Sequence, residues 1–539
     1  MDAGHTADRR GTIPFRLRVG VSGHRSLNGQ EVALAGQVRV ALRRIRELVA
    51  ASSPTDVLLT VVSPLAEGAD RLVANEVLRE PGADLEAPLP LEVDDYRSDF
   101  KSRESLTEFN GLLDRATKVT VLPRSSTRDE AYRNVGEFVV DRSDVLIALW
   151  DGAQAQGAGG TAEVVAYAQS KNVPLIWIST EGPHDLTVSV EGRIAEKTLH
   201  LLDQYNGAAV RREEFSAEVE REERYLMTSA HGLSDLTLPL QMLSGWISPF
   251  YVRADLLAIR FQRWYYWLGN ASFLLAAAAV AGAAGQILIL PKEQGLVWIE
   301  VAVMIALLFL FLGGRKWRFH ERWLACRFLA ERFRSAPFLV LAGLHRRREG
   351  DLERLDLGHH SEEWLRRGFS EVWKRRPALD LSAVDSATMR GLLAEAWIGD
   401  QLNFHRSSTV KYGWRHTRLS WLIYGLFAGT ILAALAHALS IGGSSEEALS
   451  WPHTFELLAI ALPALGASLS GIRAQREYER NAERFHQMAD YLERARIRMN
   501  AALDMDLIRV IAAEVEDQML DENRDWFSVM KFHNFELGH

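Results

Sequence analysis

Four apolar stretches break an otherwise charged chain, and they come in two pairs: about Trp264 to Leu290 with Val297 to Leu312, then about Trp421 to Ile441 with Phe455 to Ile472. Each is near the length that carries a helix across roughly 30 Å of hydrocarbon. After the first pair, Phe319, Trp323, Cys326, Ala330 and Phe333 recur at alternating four- and three-residue steps. That spacing predicts a helix with one apolar seam. Tyr478, Ala482, Phe485, Ala489 and Leu492 do the same after the second pair, each 159 residues beyond its counterpart. Trp264 and Trp421, which open the pairs, are 157 apart. The pattern predicts a tandem repeat of helical hairpin plus long helix, over 259–345 and 409–539, with a charged helical connector at 346–408 between them.

Ahead of the repeat the periodicity is different. From Phe15 to about Thr180 the apolar runs are short and β-rich, at Leu17 to Val21, Val57 to Val62, Val119 to Leu122 and Val145 to Trp150, with helical patterns between them. This alternation predicts an α/β domain over 14–180, a parallel sheet with helical crossovers, after a flexible tail at 1–13 and before a charged helical linker at 181–258. Ligands of such sheets collect at the carboxyl ends of the strands, so chemistry is expected in the strand-to-helix loops.

Three such loops stand out. Ser22, Gly23, His24 and Arg25 follow the first strand, and Ser63 to Arg71, with Glu67, Gly68, Asp70 and Arg71, follow the second. Asp151-Gly152 follows a later strand and leads through Gly157 to Gly159, Gly160 and Thr161 into a helix. Glycine lets a backbone approach a phosphate, and the free N–H groups of a helix start favour an anion. Asp151 suits a hydrogen bond to a ribose hydroxyl and His24 a contact to a phosphate or base. Arg25 and Arg71 are suited equally to a ligand and to pairing with Glu67, Asp70 or Asp151. The acidic loop with Asp94, Asp95, Tyr96 and Asp99 is a further candidate edge of the site.

Composition alters this picture in three places. The 539-residue chain has a net charge of −8 and no basic cluster with interleaved aromatics, which argues against nucleic acid as a partner. Its one cysteine, Cys326, excludes a disulfide within one chain and reads as a seam-packing residue. The first residues contain no apolar signal core, so the N-terminal domain is expected to stay in the cytosol. Arginine and lysine flank the spans on one side: Arg260 and Arg263, Arg315, Lys316 and Arg318, Lys411, Arg415 and Arg418, Arg473 and Arg476. The two short loops between paired spans hold only Lys292, so both termini are expected on the cytoplasmic side.

Gly23-His24-Arg25, Ala66-Glu67-Gly68-Ala69-Asp70-Arg71 and Ser143 to Gly152 leading to Gly159-Gly160-Thr161 resemble the SLOG superfamily. These are Rossmann-like domains related to the LOG nucleotide hydrolases and to nucleotide sensors of bacterial conflict systems; a related domain heads melastatin-type TRP channels. The duplicated hairpin plus helix, closing with Asp521 to Trp526, resembles SLATT, the two-span effector module that accompanies SLOG sensors. The resemblance implies a sensor for an ADP-ribose-type or cyclic nucleotide, with no further cofactor or metal. It also implies a four-span, homo-oligomeric effector in the lipid of the inner membrane, acting in antiviral defence. The alternative is a membrane-anchored LOG-like nucleotide or nucleoside N-glycosidase. LOG hydrolases place a glutamate three residues after the threonine of their glycine motif, whereas here Val164 stands there and Glu163 is one residue early. On a helix this turns the carboxylate by about 100°, so binding without catalysis is expected.

Two carboxylates lie inside the apolar stretches, Glu300 and Glu456, and are candidates for facing a pore or another subunit. Gly466, Ala467, Ser470 and Gly471 form a small-residue stripe that predicts close helix packing and oligomers.

Overall fold

A computed structural model of the chain describes residues 11–49, 54–153, 159–182, 184–189, 194–228, 234–289, 295, 297–344, 363–441 and 451–531. Most of the predicted 1–13 tail, the Gly157-Ala158 turn and the inter-span residues Lys292, Glu446 and Glu447 lie outside them. The chain divides into two compact units, Thr12–Ala209 with His359–Lys374, and the remainder.

The first unit is a seven-stranded sheet. In chain order its elements are β1 (Phe15–Gly23), α1 (Glu31–Val49), β2 (Val57–Val62), α2 (Ala69–Val77), β3 (Asp84–Leu89), α3 (Val93–Arg97), α4 (Arg103–Arg115) and β4 (Lys118–Val121). There follow α5 (Arg128–Arg142), β5 (Val145–Trp150), α6 (Thr161–Ser170), β6 (Leu175–Ser179), β7 (Leu186–Ser189) and α7 (Glu196–Asn206). The sheet order is β4-β3-β2-β1-β5-β6-β7, and every neighbouring pair is parallel except β6 with β7. Val145 to Leu149 are all buried, as an unbroken apolar run should be in a sheet covered on both faces. Helix α1 buries Leu34, Val38, Ala41, Leu42, Ile45 and Val49, one stripe at helical spacing. The order turns back between β1 and β5, and such a switch point opens a crevice above the strand ends.

The unit extends beyond residue 180. The Asn206 side chain at the end of α7 accepts from Ile13 N at 3.0 Å and donates to Ile13 O at 2.7 Å and to Thr55 Oγ1 at 2.8 Å. One amide thus satisfies the backbone where the chain enters β1, and it draws the start of the expected linker into the domain.

The second unit is helical. It comprises α8 (Arg212–Thr228), α9 (Ser234–Ile289), α10 (Val297–Trp317) and α11 (Phe319–Leu341). Helix α12 (Glu363–Lys374) is part of the first unit and is described below. The second unit resumes with α13 (Ser386–Leu392), a π-helical turn at Leu393–Gly399, α14 (Asp400–Ala438), α15 (Trp451–Arg476), α16 (Tyr478–Ala501) and α17 (Met505–Lys531). Among the described residues four helical runs, Asp235–Ile289, Val297–Leu341, Ser386–Ala438 and Trp451–Ala501, are long and apolar enough to cross a membrane. No residue of α10 is buried although the helix is strongly apolar, the condition of a segment whose solvent is lipid.

The repeat is visible in the backbone. Arg318 ends the break between α10 and α11 at φ 48°, ψ 39°, and Glu477 ends the break between α15 and α16 at φ 45°, ψ 43°. Both are left-handed non-glycine residues, an uncommon conformation, and they stand at the same 159-residue offset as the seams. The small-residue stripe of α15 is used within the chain: Gly466 faces Phe427 of α14, Gly471 faces Phe273 of α9, and Ser468 Oγ donates to Phe273 O at 2.7 Å.

Helix α12 lies in the chain between the two repeats but packs on α7 and β1. Its apolar face, with Trp364, Leu365, Phe369, Val372 and Trp373, is buried. Its charged face meets the amino ends of the strands. Arg367 donates to both oxygens of Asp144 at 2.7 and 2.8 Å, and Arg16 of β1 forks onto Glu371 at 2.5 and 2.7 Å. Bidentate pairs of this kind fix geometry as well as charge. Part of the expected connector is therefore a structural element of the α/β unit.

Candidate ligand-binding site

The crevice opens at the carboxyl ends of β1 and β5, with a volume of about 480 Å³. Ser22, Gly23, His24 and Arg25 form one wall, Asp151 the end of β5, Gly159, Gly160 and Thr161 the start of α6, and Asp70 enters from α2. Three loops far apart in sequence thus meet at one place. Two glycines make that meeting possible. A Cβ on Gly68, at φ 80°, would stand 2.4 Å from Arg25 O and 2.5 Å from His24 O, and a Cβ on Gly23 would stand 2.4 Å from that of Ala69. With neither Cβ present, Ala69 N donates to His24 O at 3.0 Å.

Glu67, Gly68 and Arg71 do not line the crevice. Arg71 is buried, with 3% of its side chain exposed. Its Nε donates to Leu65 O at 3.0 Å, its Nη1 to Ser105 O and Oγ at 3.0 and 2.9 Å, and its guanidinium lies over Phe100 at 4.5 Å. Glu67 accepts from Ser105 Oγ. Both side chains tie the second loop to α4 and hold Leu65 in its left-handed turn at φ 61°.

At the β5 end, His24 Nε2 lies 3.2 Å from both the backbone N and the Oδ1 of Asp151. Ala153 N donates to the same Oδ1 at 2.9 Å, and this N–H together with His24 holds the Asp151 carboxyl below its ordinary range. The helix start is capped by Gly160, which has no side chain to satisfy the free N–H groups of α6. Glu163 is turned away from the crevice: its carboxylate accepts from Gly159 N at 2.8 Å and lies 3.5 Å from Arg133 Nε. It closes the glycine turn instead of facing a ligand.

Three aromatic residues that the loop motifs did not single out as ligand contacts belong to the lining: Trp150, Tyr132 and, from the acidic loop, Tyr96. The Arg25 guanidinium lies over the Tyr132 ring at 5.1 Å, and Tyr132 donates to Asp99. Asp95 and Asp99 accept from Arg128 at 3.0 and 2.8 Å, while Asp94 pairs with Arg97 at 2.7 Å. The acidic loop therefore contributes a ring to the crevice and turns its charges to arginines. A signal for Tyr132 was present in the spacing of Tyr132, Val135, Gly136 and Val139 along one face of α5, all of which line the crevice.

Glu300 lies in the first turn of α10 and Glu456 near the start of α15, both half-buried. No protein-family model matches the chain, and no curated protein matches it at a significant level.

Proposed function

We propose that the α/β unit receives a nucleotide-derived signal, of ADP-ribose or cyclic-nucleotide type, and that the apolar helices form a homo-oligomeric effector that opens or disrupts the inner membrane. In this reading both termini are cytoplasmic. The observation that carries it is the crevice at the β1/β5 switch point, where a glycine-capped helix start, an arginine and aromatic rings converge. A helix start without a side-chain cap favours an anion, aromatic rings take a base, and a carboxylate held ionised suits ribose hydroxyls. The SLOG and SLATT resemblances supply the setting, antiviral defence. The rival reading, an N-glycosidase, loses its glutamate to the Gly159 turn.

Gly160→Asp puts a carboxylate where the anion is expected, and calorimetry on the full chain in detergent should then show at least about a tenfold loss of ADP-ribose affinity. Unchanged affinity would remove α6 from the site. Leakage of dye from proteoliposomes on addition of ADP-ribose tests the membrane half. Binding without leakage would reduce the spans to an anchor.

A further inference from the structure

Asp70 lines the crevice from the first turn of α2, and its surroundings are unusual for a carboxylate. It is 5% exposed. Among the described residues its carboxylate accepts one hydrogen bond, a long one from Ala66 N to Oδ2 at 3.3 Å, and no cation forms an ion pair with it. The two nearby arginines are engaged elsewhere, Arg25 over Tyr132 and Arg71, through Nε and Nη1, with Leu65, Ser105 and Glu108. A buried carboxylate lacking a paired cation is costly, and the usual resolution is that it takes up a proton.

We propose that Asp70 meets the ligand as a neutral carboxylic acid and is a specificity-determining donor, so that the site selects a nucleotide presenting a hydrogen-free acceptor, a phosphoryl oxygen or an unprotonated ring nitrogen, beside the start of α2. The inference rests on the nucleotide reading above. Oδ2 accepts the Ala66 N–H, so the acid proton belongs on Oδ1, free to donate. A carboxylate in the same place could only accept, and it would repel an anionic ligand.

Burial pushes the Asp70 carboxyl up to about 7, against smaller opposing effects of the Ala66 N–H and of Arg25 and Arg71. Other titratable groups face the crevice: His24 after β1, Tyr96 from α3, Tyr132 from α5 and Asp151 after β5. His24 is an imidazole in the same crevice, so the test must separate it from Asp70. The sign is that of a raised carboxyl. The folded protein holds a proton that the unfolded chain has released, and both stability and ligand binding fall as pH rises towards and through 7.

The experiment is calorimetry of ADP-ribose on the full chain, with Asp70→Asn as the diagnostic variant, because an amide keeps a donor at every pH while His24 is unchanged. Wild-type affinity should fall about tenfold between about pH 6 and about pH 8, as the fraction of protonated Asp70 falls. The Asn variant should bind with little change over that range, and adenosine in place of ADP-ribose shows whether the phosphoryl group is the acceptor. The same pH slope in the Asn variant would overturn the proposal. A ligand-free arm guards against a variant that fails to fold and against a wrong choice of probe. In infrared difference spectra of wild type across the same pH range, a carboxylic-acid C=O band should disappear as pH rises, and Asp70→Asn should lack it. Absence of that band at about pH 6 sinks the neutral acid outright. If ADP-ribose fails to bind at every pH while the band is present, the nucleotide reading falls and the neutral acid stands.

Discussion

The two repeats share one design and occupy different places. Both turn through a left-handed residue after the second span of the pair, at Arg318 and Glu477, and both then run a helix with an apolar seam. Helix α11 is buried from His320 to Leu341 with few interruptions, charged residues included. Helix α16 buries one stripe, with Met488, Ala489, Leu492, Ala495 and Met499, and leaves its remaining faces half-buried or exposed. Helix α17 joins both, but on unequal terms. It pairs Glu516 with Arg332 of α11 at 2.6 Å, where the side chains are 1% and 4% exposed, and Glu522 with Arg484 of α16 at 2.6 Å, where they are 13% and 24% exposed. A duplicated sequence pattern thus yields one central and one peripheral helix, and burial decides what each charge is worth.

The largest test of that contrast removes the acid from each pair. Glu516→Ala removes a carboxylate from a buried ion pair and should cost about 3–5 kcal/mol, whereas Glu522→Ala leaves Arg484 near water and should cost about 1 kcal/mol or less. Thermal unfolding in detergent reads both. Equal losses would mean that the two helices are equally buried.

Next in size are positions where the repeats should agree. Phe333 and Leu492 are equivalent and both fully buried. Phe333→Ala and Leu492→Ala should each cost roughly 3 kcal/mol. An aspartate at either position should abolish ligand-driven leakage from proteoliposomes while ADP-ribose still binds. Leakage at wild-type level in both Asp variants would take the seams out of signal transmission.

The smallest test sits at the hinges. Arg318→Gly and Glu477→Gly each relieve a left-handed residue and should stabilise by about 1 kcal/mol, less the entropy glycine adds to the unfolded chain. A loss of stability in either would show that the side chain there holds more than the turn.

Much of this was legible in the sequence, because the patterns concerned are local. Span length, the period of the seams and the 159-residue offset need no knowledge of which residues touch, and the structure adds the matching hinges at that offset. The α/β alternation led to the loops that form the crevice, and nine of the twelve predicted ligand residues line it. The other three, Glu67, Gly68 and Arg71, carry the same motif but support the loop from behind, which a motif cannot distinguish. Tyr96 and Tyr132 entered because crossover geometry brings α3 and α5 over the strand ends, and Trp150 because it ends β5 at the crevice.

What the sequence determined by itself was thus the set of elements, their apolar faces and their duplication, since backbone propensity and hydrophobic period act over a few turns. Tertiary structure alone decided where each charge went. Arg367 reaches Asp144 across 223 positions of sequence, Arg332 reaches Glu516 across 184, and α12, whose composition reads as a solvated connector, becomes part of the sheet domain. A charged side chain looks the same in a sequence whether water or a buried partner will solvate it, and only the packed fold supplies the partner.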